Sequence, residues 1–120
     1  MLKMTNVLLG TDNPERLAKF YTQVLGEPAM SDGGYTTWVT GGGGLTIGQH
    51  SEVHGQNGEP GRVILFFEAT DIKGEFERIK DLGGRVIAEP YSPGGGPETM
   101  LATLADPDGN YFNLATPFEP

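Results

Sequence analysis

The chain has 120 residues, of which 16 are Asp or Glu and 8 are Lys or Arg, so its formal net charge is −8. This length suits one domain, and an acidic chain without a basic run argues against nucleic acid or an anionic membrane surface as a partner. The lack of cysteine excludes a disulfide framework and a thiolate nucleophile. Because no apolar run resembles a signal peptide or a membrane-spanning helix, we expect a cytoplasmic protein.

The first part of the chain predicts a strand followed by a helix. Residues 4–9 are typical of a strand, and residues 14–25 place apolar side chains on a helical period. Asn13 can cap the helix, and Gly26 can end it in a left-handed conformation. This is the clearest helix of the sequence.

Two or three antiparallel strands are predicted to follow the helix. Turn signals at 31–34 and 41–44 flank a segment rich in aromatic and β-branched residues at 35–40, and a short strand is expected at 45–47. The segment 48–61 is polar and rich in Gly, so we interpret it as a connector between two modules.

The second part repeats this order of elements. Residues 63–67 predict a buried strand, and Asp71 can cap a second helix whose apolar side chains end before Gly83. Further strands are predicted at 85–88, 100–104 and 110–115, with a loop at 92–97 and a tight turn at 106–109.

The repeated order indicates a duplicated βαβββ unit. The predicted fold class is therefore α+β, with module one at about 1–56 and module two at about 57–120. Each helix covers one face of a small sheet, so two curved mixed sheets would leave their other faces around a shared cleft. A doubly wound parallel sheet is not expected.

Two stretches resemble the signatures of the vicinal oxygen chelate superfamily. They are Asn-Pro-Glu-Arg-Leu-Ala-Lys-Phe-Tyr-Thr-Gln-Val-Leu-Gly at 13–26 and Asp-Pro-Asp-Gly-Asn-Tyr-Phe-Asn-Leu at 106–114. That superfamily includes glyoxalase I, extradiol dioxygenases, fosfomycin-resistance enzymes and bleomycin-resistance proteins. The resemblance covers essentially the whole chain and implies the fold and a homodimer, but the same fold carries metalloenzymes and metal-free binding proteins alike.

The resemblance also implies four positions at which the enzymes hold a divalent ion with His, Gln or Glu. Here they correspond to Asn6, to Thr46 or Gly48 within 46–48, to Ile64, and to Asn113. Carboxamides are poor ligands for a catalytic divalent ion, and an Ile cannot be one. A register shift could bring in Gln49 or Arg62, but not His or Glu at several positions together. We therefore expect no metal and no cofactor.

The segment His50-Ser51-Glu52-Val53-His54 contains a spacing that binds metals on a helix. The glycines around it disfavour a helix, and in an extended chain residues four apart are separated by roughly 13 Å, too far to share one ion directly. A solvated connector is the competing interpretation. This segment could still close over a ligand.

Strand alternation predicts which side chains line the cleft. If Asn6 faces it, so does Leu8, and the same alternation groups Ile64 with Phe66 and Tyr111 with Asn113. The predicted ligand-binding residues are Asn6, Leu8, Trp38, Ile64, Phe66, Met100, Tyr111 and Asn113. Apolar and aromatic surface with a few carboxamides suits a planar or aromatic organic ligand. Trp38, Phe66 and Met100 are equally compatible with an ordinary core.

These observations favour metal-free binding of a small organic molecule, of the sequestration or resistance type. The alternative is a lyase, isomerase or dioxygenase of the glyoxalase kind, either metal-dependent or using Glu68 as a general base. The favoured interpretation of Glu68 is an exposed strand end. A third possibility is a cleft filled by the protein's own side chains.

Overall fold

The computed structural model describes residues 1–95 and 99–117. Contacts divide the chain into two compact units, Met1–Gly55 and Gln56–Pro120. The elements of the first are β1 (Asn6–Thr11), α1 (Pro14–Leu25), β2 (Met30–Asp32), β3 (Tyr35–Thr40) and β4 (Gly43–Gln49). Those of the second are β5 (Leu65–Glu68), α2 (Ile72–Asp81), β6 (Arg85–Tyr91), β7 (Leu101–Ala105) and β8 (Tyr111–Ala115). The predicted α+β fold of two tandem βαβββ modules is confirmed.

Both sheets have the same strand order. The first sheet runs β1-β4-β3-β2 and the second β5-β8-β7-β6, so the first strand of each unit pairs with its last. That pairing is parallel in both units, whereas the remaining pairs are antiparallel. Side chains alternate along each strand, so each sheet has a helix-facing side and an opposite side, which we call the helix-distal face.

The two helices begin at the predicted caps. Asn13 Oδ1 accepts a hydrogen bond from the Arg16 amide at 3.2 Å, and Asp71 Oδ1 accepts one from the Gly74 amide at 3.0 Å. These side chains satisfy first-turn N–H groups that have no partner within a helix. At the end of α1, Gly26 has a φ of +95°, which a glycine adopts without strain.

One row of helix-facing side chains illustrates how the cores of the two units correspond. In the first unit, register pairs Val7 with Leu45 and Leu45 with Trp38. In the second, it pairs Leu65 with Phe112 and Phe112 with Leu104.

Trp38 is a core residue, which corrects its predicted place in the ligand cleft. Its side chain is 1% exposed, its indole N–H donates to the Gly26 carbonyl at 2.9 Å, and its ring lies 6.4 Å from that of Tyr21. The reason is the alternation of side chains along β3. Trp38 alternates with Thr37 and Val39, and only its own side of β3 faces α1.

Several predicted boundaries also need correction. Strand β1 begins at Asn6 and not at residue 4, and β5 begins at Leu65 and not at 63. Residues 31 and 32, predicted as a turn, belong to β2, and Gly48, predicted as connector, lies within β4. Backbone pairing with β1 and β3 holds the glycines of β4 in the sheet despite their low strand propensity. Of the predicted loop at 92–97, residues 96 and 97 lie outside the described residues.

The Asp-Pro-Asp-Gly turn before β8 is a structural element. Asp106 is buried, and its Oδ1 accepts from the backbone amides of Asp108 at 2.9 Å and Asn110 at 3.0 Å. The Asn57 amide donates to the Asp108 carbonyl at 2.8 Å, and Gln56 Nε2 donates to the Pro107 carbonyl at 2.8 Å. These bonds anchor the segment that follows the first unit to the second unit's own turn. Among the described helices, none has the length and apolar character needed to cross a membrane.

Candidate functional site

The helix-distal face of the second unit brings together an aromatic ring and a carboxamide. Phe66 on β5 is in register with Asn113 on the neighbouring β8, and Asn113 is in register with Thr103 on β7. The Phe66 side chain is 61% exposed, whereas Asn113 is only 7% exposed. An apolar ring thus lies open beside a nearly buried polar group.

Asn113 is oriented by its neighbour on β7. The Thr103 hydroxyl donates to Asn113 Oδ1 at 2.6 Å, which engages the carbonyl side of the amide. The amide nitrogen Nδ2 makes no hydrogen bond to another residue that the structure describes. Asn113 therefore presents N–H donors on this face.

The other predicted residues of the second unit lie around this row. Tyr111 is half-buried and shares the helix-distal face with Asn113, as alternation requires. Glu68 is exposed at the last position of β5, and Ile64 is half-buried just before that strand. Met100 precedes β7, where its amide donates to the Thr116 hydroxyl at 3.2 Å.

The first unit has a similar row on its own helix-distal face. Leu8 is in register with Thr46, and Thr46 with Thr37. The two threonine hydroxyls are hydrogen-bonded at 2.9 Å, and the Leu8 side chain is 47% exposed.

Asn6 lies next to an open pocket of about 390 Å³ in the first unit. The pocket is lined by Lys3, Met4, Thr5, Asn6, Thr37, Val39 and the four glycines 41–44. Asn6 is exposed and bonds only to the adjacent Thr5 hydroxyl, at 3.2 Å, among the residues described. A polar side chain without a fixed tertiary partner is available to a ligand in this pocket.

The predicted connector begins with a turn that packs against β1. The His50 amide donates to the Thr11 carbonyl at 3.1 Å, and the Gly55 amide donates to Asp12 Oδ2 at 2.8 Å. The segment is not helical, so the spacing of His50 and His54 does not place both on one helical face. Within residues 1–95 and 99–117, no three His, Cys, Asp or Glu side chains lie close enough together to hold a metal ion.

Comparison with known proteins places this arrangement in a family. A family model described as a glyoxalase-like domain matches residues 6–115. The chain belongs to this family. The resemblance to the vicinal oxygen chelate superfamily is thereby confirmed, and no curated protein matches the chain significantly.

Solved structures share the fold of this glyoxalase-like domain at low identity. A glyoxalase-related enzyme from Fulvimarina pelagi is 21% identical, with a TM-score of 0.77, over 98% of this chain and 89% of that one. A glyoxalase/bleomycin resistance protein/dioxygenase family enzyme from Burkholderia phytofirmans PsJN is 19% identical, with a TM-score of 0.76, over 96% and 98%. A protein of unknown function from Agrobacterium tumefaciens str. C58 is 19% identical, with a TM-score of 0.79, over 98% and 96%. At such identities the likeness shows the fold alone.

Sequence reasoning did not single out Thr103, Thr37 or Tyr35 in this glyoxalase-like domain. Thr103 and Thr37 each hydrogen-bond the central-strand side chain of a helix-distal row, and Tyr35 lies on the same face as Thr37. Alternation within each strand was visible in the sequence. The register between strands was not, and only register shows that Thr103 is opposite Asn113.

Proposed function

We propose that this glyoxalase-like domain binds a small planar organic molecule on its helix-distal faces, without a metal, and acts by sequestration. The observation that carries the proposal is the open ring of Phe66 in register with the oriented amide of Asn113. Apolar surface beside a few placed polar groups is the usual composition of a small-molecule site. On the first unit, Leu8 beside Thr46 repeats the pattern.

The affinity expected from these groups is moderate. Covering the Phe66 ring contributes about 1.5–3 kcal/mol, an aromatic stack adds about 0.5–1.5 kcal/mol, and a hydrogen bond from Asn113 adds about 0.5–1.5 kcal/mol. Because part of this free energy offsets the loss of ligand freedom, we expect dissociation constants in the micromolar range or weaker for simple aromatic probes.

The first test combines metal analysis with thermal unfolding of protein purified without a histidine tag. We expect naphthalene-type probes to raise the melting temperature, and a chelator to leave it unchanged. Phe66→Ala should reduce the shift that the probe produces, because it removes the open ring of the second unit. Val63→Ala is the matched control, because Val63 is also an exposed apolar residue but precedes β5.

The competing functions predict different results in the same experiment. Near-stoichiometric metal, or a saturable rise in melting temperature with Ni²⁺, Zn²⁺, Mn²⁺ or Fe²⁺, would replace the proposal with a metalloenzyme of the glyoxalase kind. A domain that responds to neither metals nor probes would have helix-distal faces without a ligand.

The proposal includes a homodimer in the cytoplasm. The homodimer is supported by exposed apolar side chains on the first unit's helix-distal face, among them Met30 and Val39, since such surface favours association. Light scattering after size exclusion should give twice the monomer mass of 12.8 kDa. A mass equal to that of one chain at 100 μM protein would remove the dimer from the proposal and leave the ligand test unaffected.

A further inference from the structure

Two neighbouring glycines leave the strand backbone without side chains of its own at one end of the first unit's helix-distal face. Gly10 on β1 is in register with Gly48 on β4, and Gly48 is in register with Tyr35 on β3. This row follows the row of Leu8 and Thr46 by two residues, about 6.6 Å along the strands. Neither glycine has a positive φ, so what distinguishes both positions is the close approach of other side chains.

The Tyr35 ring covers Gly48. A Cβ atom added at Gly48 would overlap Cδ1 and Cε1 of Tyr35, which means that the ring rests on the glycine backbone. The Tyr35 side chain is still 48% exposed. Part of the ring therefore packs on β4, while the rest of the ring is open to a ligand.

His50 and Val53 both lie over Gly10. A Cβ atom added at Gly10 would come within 3.0 Å of His50 Cβ and 3.6 Å of His50 Cγ. The turn that carries His50 is held at one end by the bond from the His50 amide to Thr11 and at the other by the bond from Gly55 to Asp12. The first atoms of the His50 side chain thus lie over Gly10, on the face of β1 that also carries Leu8.

A backbone hydrogen bond sets the tautomer of this imidazole. The Glu52 amide donates to His50 Nδ1 at 3.2 Å, so Nδ1 is an acceptor and, in the neutral ring, the proton is on Nε2. Among the residues that the structure describes, Nε2 has no hydrogen-bond partner. His50 therefore offers an N–H donor from the turn over Gly10, whose strand neighbour Gly48 lies under the Tyr35 ring.

The charges nearby select the kind of acceptor that this donor would meet. Strands β1, β3 and β4 and the segment 50–55 contain no Lys or Arg, whereas Asp12 and Glu52 lie in or next to the turn. Within these segments a carboxylate ligand would meet no cation, and two acidic residues lie in or next to the turn. We propose that this end of the face binds a neutral carbonyl oxygen on a planar ligand, with His50 Nε2–H and the Tyr35 hydroxyl as donors.

This inference rests on the proposed function and narrows its ligand class to planar ketones, lactones or quinones. The test titrates three naphthalene probes into the ¹⁵N-labelled full chain: 2-acetylnaphthalene, 2-ethylnaphthalene and 2-naphthoate. Each neutral hydrogen bond to the ketone oxygen should make the ketone bind about three- to tenfold more tightly than the hydrocarbon. The Gly10, Gly48 and His50 amide signals should shift, and the His50 ring nitrogens should report the Nε2–H tautomer.

Two variants remove the donors and one serves as control. His50→Phe keeps a ring over Gly10 without a donor, and Tyr35→Phe removes only the hydroxyl, so each should reduce the preference for the ketone. His54→Phe makes the same change at an exposed histidine that is not among the nearest neighbours of either glycine, and it should leave the preference intact. Far-UV circular dichroism spectra check that each variant is folded. If His50→Phe does not fold, Tyr35→Phe alone tests whether a donor creates the preference for the ketone.

The outcomes separate the inference from the proposed function. Equal affinity for ketone and hydrocarbon, tightest binding of 2-naphthoate, or equal effects of His50→Phe and His54→Phe would overturn the inference. Probes that shift only the Phe66 and Asn113 amides would overturn it while supporting the proposed function. If no probe binds anywhere on the chain, both are wrong.

Discussion

The two units have the same strand order and pairing, but different residues fill their helix-facing cores. In one row of the helix-facing core, the first unit places Trp38 on β3 and Leu45 on the central β4. The second places Leu104 on β7 and Phe112 on the central β8. The large ring and the leucine have exchanged strands, so what the duplicated fold retains is the filled volume and not the residue at each position.

The helix-distal faces differ in another way. Their middle rows are alike, with Leu8, Thr46 and Thr37 in one unit and Phe66, Asn113 and Thr103 in the other. The next rows are Gly10, Gly48 and Tyr35 in the first unit and Glu68, Ala115 and Leu101 in the second. Of these two rows, only the one in the first unit has glycines on which neighbouring side chains rest, so function can diverge on this face while the core stays intact.

The largest loss of stability is expected from truncating the largest buried side chain of the first unit. Trp38→Ala removes a fully buried ring and its bond to the Gly26 carbonyl, and should lower the free energy of unfolding by about 3–5 kcal/mol. Phe112→Ala should cost a similar amount in the second unit, because that ring is also fully buried. Urea unfolding followed by circular dichroism measures both. A loss below 1 kcal/mol for Trp38→Ala would mean that the indole lies at the surface.

The exchange of bulky residues between strands can be tested directly. Trp38→Leu leaves a cavity and should cost about 2 kcal/mol or more, whereas adding Leu45→Phe gives the first unit the arrangement of the second and should recover about 1 kcal/mol. The measurement is a double-mutant cycle of unfolding free energies. Strict additivity, with Leu45→Phe destabilising to the same extent in either background, would show that the two positions do not share one volume.

Sequence patterns predicted the order of elements well, because that order depends on local signals. The cap residues Asn13 and Asp71, the helical periods and the Gly-rich turns are all local features. Trp38 was misplaced because alternation groups the residues of one strand but does not say which group faces the helix. The Gly48 contact was invisible because it depends on register between β3 and β4. The candidate site could be predicted only in part for the same reason. Asn113 could be identified from the sequence, but the Thr103 hydroxyl that orients it could not.

The N-cap side chains of the two helices should contribute equally to the free energy of unfolding. Asn13→Ala and Asp71→Ala each remove one side-chain acceptor from a first-turn amide, so each should destabilise the protein by about 1 kcal/mol. Asn13→Asp should retain the cap and serves as the matched control. Amide hydrogen exchange at Arg16 and Gly74 reads each site separately. Unchanged exchange at Gly74 in Asp71→Ala would show that this side chain does not protect the second helix.

The smallest change in stability is expected where the helix-distal faces differ most. Gly48→Ala gives β4 the residue that β8 carries at Ala115, and the new methyl group must displace the Tyr35 ring. Because that ring is half exposed and can swing outward, and because alanine suits a strand better than glycine, the unfolding free energy should change by less than about 1 kcal/mol. The ring-current shift of the residue 48 Hα should nevertheless vanish, whereas Ala115→Gly should change no aromatic contact. If the shift persists in Gly48→Ala, the ring does not rest on the backbone, and the first unit's face owes nothing to its glycines.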